Sequence, residues 1–393
     1  PRMQSFDYIY LMTKYISHIP MAHSMEIPRS ICREDALAPN NTKALRLVLI
    51  VAIFIFHAGI HMGFLTPDLG HVCVSVFFFL SGYGLEYSLA NKPDYVSGFI
   101  HKRVLGLMIQ YWIIMTVLAV FVFTIHRSWD QFLSEFTATF GVPLWYITEL
   151  IAFYIVFYLS MFIRDRRKAL LLISAGTLFV MFVLWYHFNS DLYYRSGLCF
   201  VLGAAWYVYR GSVSKVIRGW IPVLLFLVIT PLLLFNDRYP NVPMDFIMTS
   251  MSGVLASVMA VAFLAVDLRK GWFLLIAAMM VSTFLIIITW QDTEMSVGPT
   301  MILIGAVSSF LSQIPKVSYA VAFLGGMSLE LYLLHMNMLH YKYPNVTESV
   351  LWSTVLAGIA TLILGYLLYR ICGYILSRYD MAYRSISDKK SVC

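Results

Sequence analysis

Residues 46–57 read RLVLIVAIFIFH, an arginine and a histidine that enclose ten apolar residues without a break. The neighbouring residues extend this apolar run to the roughly 20 residues that a helix needs to cross hydrocarbon. Similar runs recur along all 393 residues, since 60% of the chain is hydrophobic and only 12% is charged. A soluble globular chain carries about 25% charged residues. The sequence therefore predicts a membrane protein rather than a soluble one.

The spacing of the apolar runs predicts an all-α fold, a polytopic membrane helix bundle of about 10–12 transmembrane helices. Twelve runs qualify, although the sixth and the tenth are short for a bilayer of roughly 30 Å. The predicted spans are 44–65, 70–90, 104–125, 143–163, 168–187, 195–209, 220–236, 246–266, 272–290, 297–313, 319–340 and 349–376.

The basic residues predict the orientation of these spans, because cytoplasmic loops carry the excess of Lys and Arg. With the N-terminus inside, 24 of the 28 basic residues face the cytoplasm. We therefore expect a cytoplasmic segment over 1–43, a transmembrane domain over 44–376 and a cytoplasmic tail over 377–393. The same bias explains most of the net charge of +7, so we expect no nucleic-acid partner. The basic residues left outside are Arg127, Arg195, Arg238 and Lys342.

The cysteines predict neither disulfides nor a metal site. All five are scattered, without a Cys-x-x-Cys pair or companion histidines at metal-ligand spacing. The first 43 residues mix charge with short apolar stretches and show no cleavable signal peptide. We expect the first span to act as its own insertion signal.

His57 is the sharpest candidate for chemistry, because an ionisable side chain inside hydrocarbon is costly. It follows Arg46 by about three helical turns and about 16 Å of rise, so both side chains project from one face. Arg46 is expected at the cytoplasmic end, where it can meet an anion. His57 is expected near mid-membrane, where a neutral imidazole can accept a proton. The alternative is a buried histidine that bonds a neighbouring helix.

Further motifs follow in order along the chain: FFFLSGY at 77–83, FIHKR at 99–103, PLWYI at 143–147 and GMSLELYLLH at 326–335. Together with the spacing of Arg46 and His57, they resemble the type-3 family of membrane acyltransferases, over residues 43–376. Each motif alone is weak. Their joint order and spacing carry the resemblance.

The resemblance implies an activity, its substrates and a location. Members of the family commonly move an acetyl group from coenzyme A to a sugar or another acceptor that faces away from the cytoplasm. Acyl-CoA is then a donor substrate, with no permanently bound cofactor, and the acceptor is a carbohydrate or glycolipid. The resemblance also implies a multi-pass protein of the cell membrane, in bacteria the inner membrane. The oligomeric state stays open.

Coenzyme A carries a pyrophosphate and a ribose phosphate, so its site needs fixed cations close to water. The expected donor-binding residues are Arg46, Lys102 and Arg103. For Lys102, the alternative is a charge that only sets the topology. The family often carries Arg-x-x-Arg followed by a proline here, whereas this chain has Gly106 and Ile109 in the second and third places. The match to that motif is therefore partial.

His57 is the expected catalytic base, since imidazole exchanges a proton near neutrality. Transient acylation of His57 is the alternative. Arg46 belongs to the same predicted catalytic group. Ser81 is expected to stabilise the developing oxyanion, unless its Ser-Gly pair is a close helix contact. Glu149 and His335 complete the group. Glu149 is expected as a buried acid that pairs with an arginine or orients a histidine. His335 is expected to contact the donor or the acceptor, and the alternative is a hydrogen-bonded histidine near the membrane surface.

Two other classes of protein also have many spans. A transporter or flippase of a polar solute or glycan carries sparse intramembrane charges, but no inverted repeat is apparent. A membrane scaffold or receptor leaves His57 and the ordered motifs unexplained. The acyltransferase is therefore the favoured interpretation.

Overall fold

The structure, a computed structural model, describes residues 36–63, 69–93, 95–126, 144–212, 242–288, 296–340 and 349–392. All of these residues belong to one compact unit, Ile31–Cys393. Within the described ranges the chain is helical and contains no β-strand, which confirms the predicted all-α fold.

The described residues form thirteen α-helices and one π-helical segment, Ile100–Leu105, which leads directly into α3. The α-helices are α1 (Pro39–His61), α2 (Leu69–Asn91), α3 (Gly106–His126), α4 (Trp145–Ser160), α5 (Arg166–Phe188), α6 (Leu192–Arg195), α7 (Leu198–Val208), α8 (Val242–Leu264), α9 (Leu268–Ile288), α10 (Val297–Gln313), α11 (Pro315–Gly326), α12 (Ser328–His340) and α13 (Val350–Val392).

Six helical segments in the described ranges are long and apolar enough to cross a bilayer. They coincide with the first, second, third, fifth, ninth and twelfth predicted spans. The bent pair α10 and α11 supplies a seventh if it is counted as one span, and α4 and part of α8 are shorter apolar helices. The polytopic helix bundle is thus confirmed. The predicted span 220–236 lies outside the described residues.

The run 319–340, predicted as a single span, is divided at Met327 into α11 and α12. The prediction was wrong here because α11 ends at its Gly-Gly pair, where the Met327 N–H donates to the carbonyl of Leu324 at 3.0 Å. α11 itself begins at Pro315, which lacks the N–H that would continue α10, and the two helices meet at 120°.

Two other segments differ from the predicted spans. The run 195–209 is divided by Ser196 and Gly197 into α6 and α7. At the other end of the chain, α13 continues past residue 376 to Val392. The last helix is therefore longer than the apolar run that predicted it.

A pair of glycines lets α2 and α7 cross closely. A Cβ atom on Gly203 would overlap the carbonyl oxygen of Phe79 and lie 2.9 Å from the nitrogen of Tyr83. A Cβ atom on Gly82 would lie 3.0 Å from the nitrogen of Ala204. Small residues at such crossings let helix backbones approach within membranes. The two backbones therefore touch, which fixes the position of α2 in the bundle.

An ion pair ties α2 to the start of α5. Arg166 donates two hydrogen bonds to the Glu86 carboxylate, at 2.6 and 3.2 Å, and a third to the carbonyl of Ser160. The Glu86 side chain is 3% exposed and that of Arg166 is 25% exposed. Two parallel bonds between a guanidinium and a carboxylate offset part of the cost of removing the acid from water.

The end of α13 is attached to the π-helical segment through His101. The imidazole stacks between Tyr379 and Tyr383, with ring centroids 4.1 and 3.7 Å away. Its Nε2 lies 3.0 Å from a carboxylate oxygen of Asp380. Since His101 directly precedes the two cations predicted to bind the donor, the last helix holds the segment that carries them.

Candidate functional site

Two partly open cavities follow one another along α1. The arginine cavity, of about 410 Å³, adjoins Arg46, and the histidine cavity, of about 600 Å³, adjoins His57. Val74 and Tyr332 line both cavities, so these two side chains stand between them. The apolar run at residues 46–57 therefore begins with an arginine in one cavity and ends with a histidine in the adjoining cavity.

Positive charge is concentrated in the arginine cavity. Among the described residues that line it, none is acidic, and Arg46 forms no hydrogen bond or ion pair with another described residue. Burial and the nearby charges of Arg103 and Lys102 lower the pKa of Lys92 from its usual value of 10.5. Cations that raise one another's energy without a compensating carboxylate favour an anionic ligand. The basic residues that line the cavity are Lys43, Arg46, Lys92 and Arg103.

Arg103 is held at the edge of the arginine cavity by two side chains. Its Nε donates to the hydroxyl of Tyr95 at 3.0 Å, and its Nη2 donates to the hydroxyl of Ser88 at 3.4 Å. Arg103 also lines a neighbouring cavity of about 430 Å³, and Lys102 lines only that one. Of the three predicted donor-binding residues, Arg46 and Arg103 thus share one cavity and Lys102 lies in the next.

The histidine cavity brings together His57 and His335, whose ring centroids are 5.1 Å apart. Nδ1 of His335 lies 2.5 Å from the carbonyl oxygen of Tyr332, so we assign the proton to Nδ1. Nε2 of His335 is then an acceptor, and it is buried without a hydrogen-bond partner among the described residues. Two imidazoles in one cavity supply the groups that acid–base catalysis needs.

Other polar groups reach the histidine cavity from separate elements. His71 comes from the start of α2, Trp145 opens α4, and Asn337 belongs to α12. Arg195, the last residue of α6, also lines the cavity and forms an ion pair with Asp191. An aromatic ring beside a few placed polar groups is typical of a site for a small, partly polar ligand.

His71, Arg195 and Asn337 are site residues that the sequence pattern did not predict. A signal existed for His71, which stands in a predicted span and is ionisable, as His57 is. Arg195 was marked only by its departure from the charge bias. For Asn337 no signal in the sequence was available, because an amide in a helix has many structural uses.

We call Val74 and Tyr332, which line both cavities, the wall between them. The Tyr332 ring contacts an aromatic ring on each side. The Tyr332 ring lies 5.2 Å from that of Tyr146 and 5.5 Å from that of His335, between centroids. Tyr146 lines the arginine cavity, and His335 meets His57 on the other side. A continuous series of side chains therefore connects the cation cluster with the candidate base.

Ser81 lines the arginine cavity and not the histidine cavity. Its hydroxyl donates to the carbonyl of Phe77 at 2.9 Å and is within hydrogen-bonding reach of Tyr146 and Tyr154. Gly82, the next residue, forms the close contact with α7. The structure thus supports the helix-contact alternative for this Ser-Gly pair and does not bring Ser81 beside His57.

Glu149 lies away from both cavities. The side chain is fully buried, and neither carboxylate oxygen has a hydrogen-bond partner among the described residues. Gly197 packs against it, with no space for a Cβ atom between them. Of the predicted catalytic residues, the structure therefore unites His57 with His335 and leaves Glu149 apart.

Fold and site together define a polytopic membrane protein in which a cation-lined cavity and a histidine-lined cavity meet inside the helix bundle. The family model for the acyltransferase domain of acyltransferase family 3 matches residues 42–267, more than half of the chain. The chain belongs to this family, and the protein is a membrane acyltransferase. No curated protein and no solved structure shows a significant match. The matched range includes His57 and ends before His335.

Proposed function

We propose that the protein transfers an acyl group, acetyl in the simplest case, from coenzyme A on the cytoplasmic side to a hydroxyl of a cell-surface carbohydrate or glycolipid. The observation that carries this proposal is the junction of the two cavities at Val74 and Tyr332. One cavity suits an anionic donor, and the other contains the candidate base. Membership of the family supplies acyl transfer as the reaction.

The arginine cavity is the proposed donor site. Arg46 and Arg103 offer guanidinium groups, which bind phosphate oxygens through paired hydrogen bonds. Lys102, which lines the adjoining cavity, is the proposed partner of a second phosphate of the same nucleotide. The distribution of basic residues along the chain supports the cytoplasm as the side from which the donor enters.

The histidine cavity is the proposed acceptor site. The Trp145 ring provides an apolar face on which a sugar ring can stack, and the Asn337 amide can hydrogen bond with sugar hydroxyls. This arrangement supports an acceptor that approaches from the side opposite the donor. The protein then works as a multi-pass component of a cell membrane, in a bacterium the inner membrane.

The proposed reaction is a direct transfer at the wall between the cavities. The acceptor oxygen attacks the thioester carbonyl carbon, and His57 takes the hydroxyl proton as the new C–O bond forms. The C–S bond then breaks, and the departing sulfur receives that proton from His57. Arg46 acts by holding the donor, since it lines the donor cavity rather than the one that contains His57.

The test uses the source organism, in which the native acceptor is present. The gene is deleted and restored as wild type, His57→Ala or His61→Ala, and permeabilised membranes receive labelled acetyl-CoA. His61 is the matched control, because it lies one turn further along α1 and lines neither cavity. We expect His57→Ala to reduce labelling of surface material by about 10²–10⁴-fold and His61→Ala to leave it unchanged.

Each alternative has its own outcome in this experiment. Undiminished labelling in His57→Ala would contradict the role of the base. Labelling that does not depend on the gene would overturn the proposed function. A transporter or a scaffold would leave the surface material without gene-dependent label.

A further inference from the structure

His335 supplies the second imidazole beside His57, and the proposed reaction gives it no role. Its Nδ1 lies 2.5 Å from the carbonyl oxygen of Tyr332, three residues earlier in α12. A carbonyl oxygen can only accept a hydrogen bond, so Nδ1 carries the proton and Nε2 presents a lone pair. A contact within one helical turn thus fixes both the tautomer and the orientation of the ring.

The lone pair of Nε2 is closed off from the cavity that His335 lines. The residue is 2% exposed, and Nε2 is buried without a hydrogen-bond partner among the described residues. A buried acceptor without a donor costs free energy, so a partner that arrives during the reaction is favourable. Because Nε2 shows no surface to the cavity, a substrate atom cannot reach it without displacing a side chain. The partner is therefore a group of the protein.

His57 is the neighbouring group that can donate to Nε2. The two ring centroids are 5.1 Å apart, and the ring planes are inclined by 42°. At this separation, rotation of a side chain can bring a nitrogen of one ring within hydrogen-bonding distance of a nitrogen of the other.

The candidate base needs such an acceptor when it works. Once His57 has taken the hydroxyl proton, it is an imidazolium with two N–H groups. One faces the reacting atoms, and the other is stabilised by an acceptor. In the Ser-His-Asp triad this acceptor is a buried carboxylate, which also orients the ring. Among the described residues that line the histidine cavity none is acidic, so a neutral acceptor takes this place.

From this geometry we infer that His335 is a positioning residue, whose Nε2 accepts a hydrogen bond from His57 once His57 carries the proton of the acceptor hydroxyl. The inference rests on the proposed function and adds one residue to its mechanism. The nitrogen of His57 that faces the substrates then gives its proton to the departing sulfur. His335 keeps its own proton on Nδ1 throughout, so this ring neither gains nor loses a proton.

Two substitutions separate the roles of the two ring nitrogens. His335→Gln places an amide oxygen near the position of Nε2. His335→Asn is shorter, and it keeps an N–H near the position of Nδ1 but has nothing at Nε2. Membranes from the deletion strain restored with each variant receive labelled acetyl-CoA at varied concentration, and rates are expressed per amount of protein in the membrane.

We expect His335→Asn to lower the maximal rate by about 10- to 100-fold with little change in the KM for acetyl-CoA, because a hydrogen bond to a charged group is lost. His335→Gln should recover most of that loss. The reverse order would show that the contact with Tyr332 is what matters, and it would overturn the inference. Equal losses in both variants, or no loss in either, would overturn it too. Absence of gene-dependent labelling with the wild-type gene would overturn the proposed function as well.

A double variant shows whether His335 acts through His57. Adding His335→Asn to His57→Ala should lower the residual rate by less than about threefold, since the bond between the rings is already absent. Losses that multiply in full would mean that His335 acts independently of the base, against the inference.

A measurement on the wild-type protein applies even if the variants at His335 fail to accumulate. The protein is labelled with ¹⁵N-histidine, held in lipid nanodiscs and titrated until His57 is protonated. NMR should then detect a scalar coupling across the hydrogen bond between a nitrogen of His57 and Nε2 of His335. A protonated His57 without this coupling would overturn the inference.

Discussion

The close contact between α2 and α7 predicts how much the substitution Gly203→Ala lowers the free energy of unfolding. In Gly203→Ala, the new Cβ would lie 2.8 Å from the carbonyl carbon of Phe79 and 2.9 Å from the nitrogen of Tyr83. Real Cβ atoms essentially never approach other atoms within 3.0 Å, and both partners are backbone atoms that no rotamer can move. The helices must separate, so we expect a loss of about 1–3 kcal/mol in the free energy of unfolding.

The assay is unfolding of the purified protein by titration with a denaturing detergent, with helicity measured by circular dichroism. Gly84→Ala is the matched control, since it lies in α2 and nothing is within 4 Å of its Cβ position. That variant should be neutral or more stable by up to about 1 kcal/mol, because alanine is the better helix former. The same substitution in one helix pair therefore has opposite expected signs at two positions.

A variant that combines Gly82→Ala with Gly203→Ala tests whether the two glycines share one contact. Gly82 sits in the same crossing, so Gly82→Ala should cost little more once Gly203→Ala has already separated the helices. Fully additive losses would show that the two glycines do not share one contact. Equal stability of Gly203→Ala and Gly84→Ala would refute the close crossing itself.

Two further predictions concern the wall and the ion pair. Val74→Ala should enlarge the junction and raise butyryl transfer relative to acetyl transfer by about tenfold, measured by competition between the two donors in membranes. Val72→Ala, equally buried in α2 but lining neither cavity, should leave that ratio unchanged, and a shift in both variants would contradict the role of the wall. Glu86→Gln should cost about 3 kcal/mol in detergent unfolding, because Arg166 would lose its carboxylate, and adding Arg166→Gln should recover part of that loss. No recovery in the double variant would contradict the pairing.

Much of the fold follows from the sequence because hydrocarbon penalises polar side chains wherever they stand. The bounds of α1 and α2 differ from the predicted spans by a few residues. The break at Met327 escaped prediction because the residues that end the helix are as apolar as the run they interrupt. Hydropathy reports the solvent of a segment, whereas a helix ends through backbone geometry.

Only the site residues that lie on one helix could be related to each other from the sequence. Arg46 and His57 are related by the pitch of α1, so their spacing carried structural information. The wall between their cavities depends on Tyr332, which comes from α12, far away along the chain. Glu149 and Ser81 are polar residues within predicted spans, which made them candidates for the site. Only the packing of the helices shows that neither lines the cavity of His57.

The attachment of α13 to His101 affects how the protein can be shortened or labelled. A chain cut near residue 376 would keep its last apolar turn and insert into a bilayer, but it would lose the three partners of His101. An affinity handle or fluorescent fusion placed there would report normal abundance and localisation for a protein whose cation-bearing segment has lost its anchor. Fusions therefore belong beyond Tyr383, where the contacts with His101 stay intact.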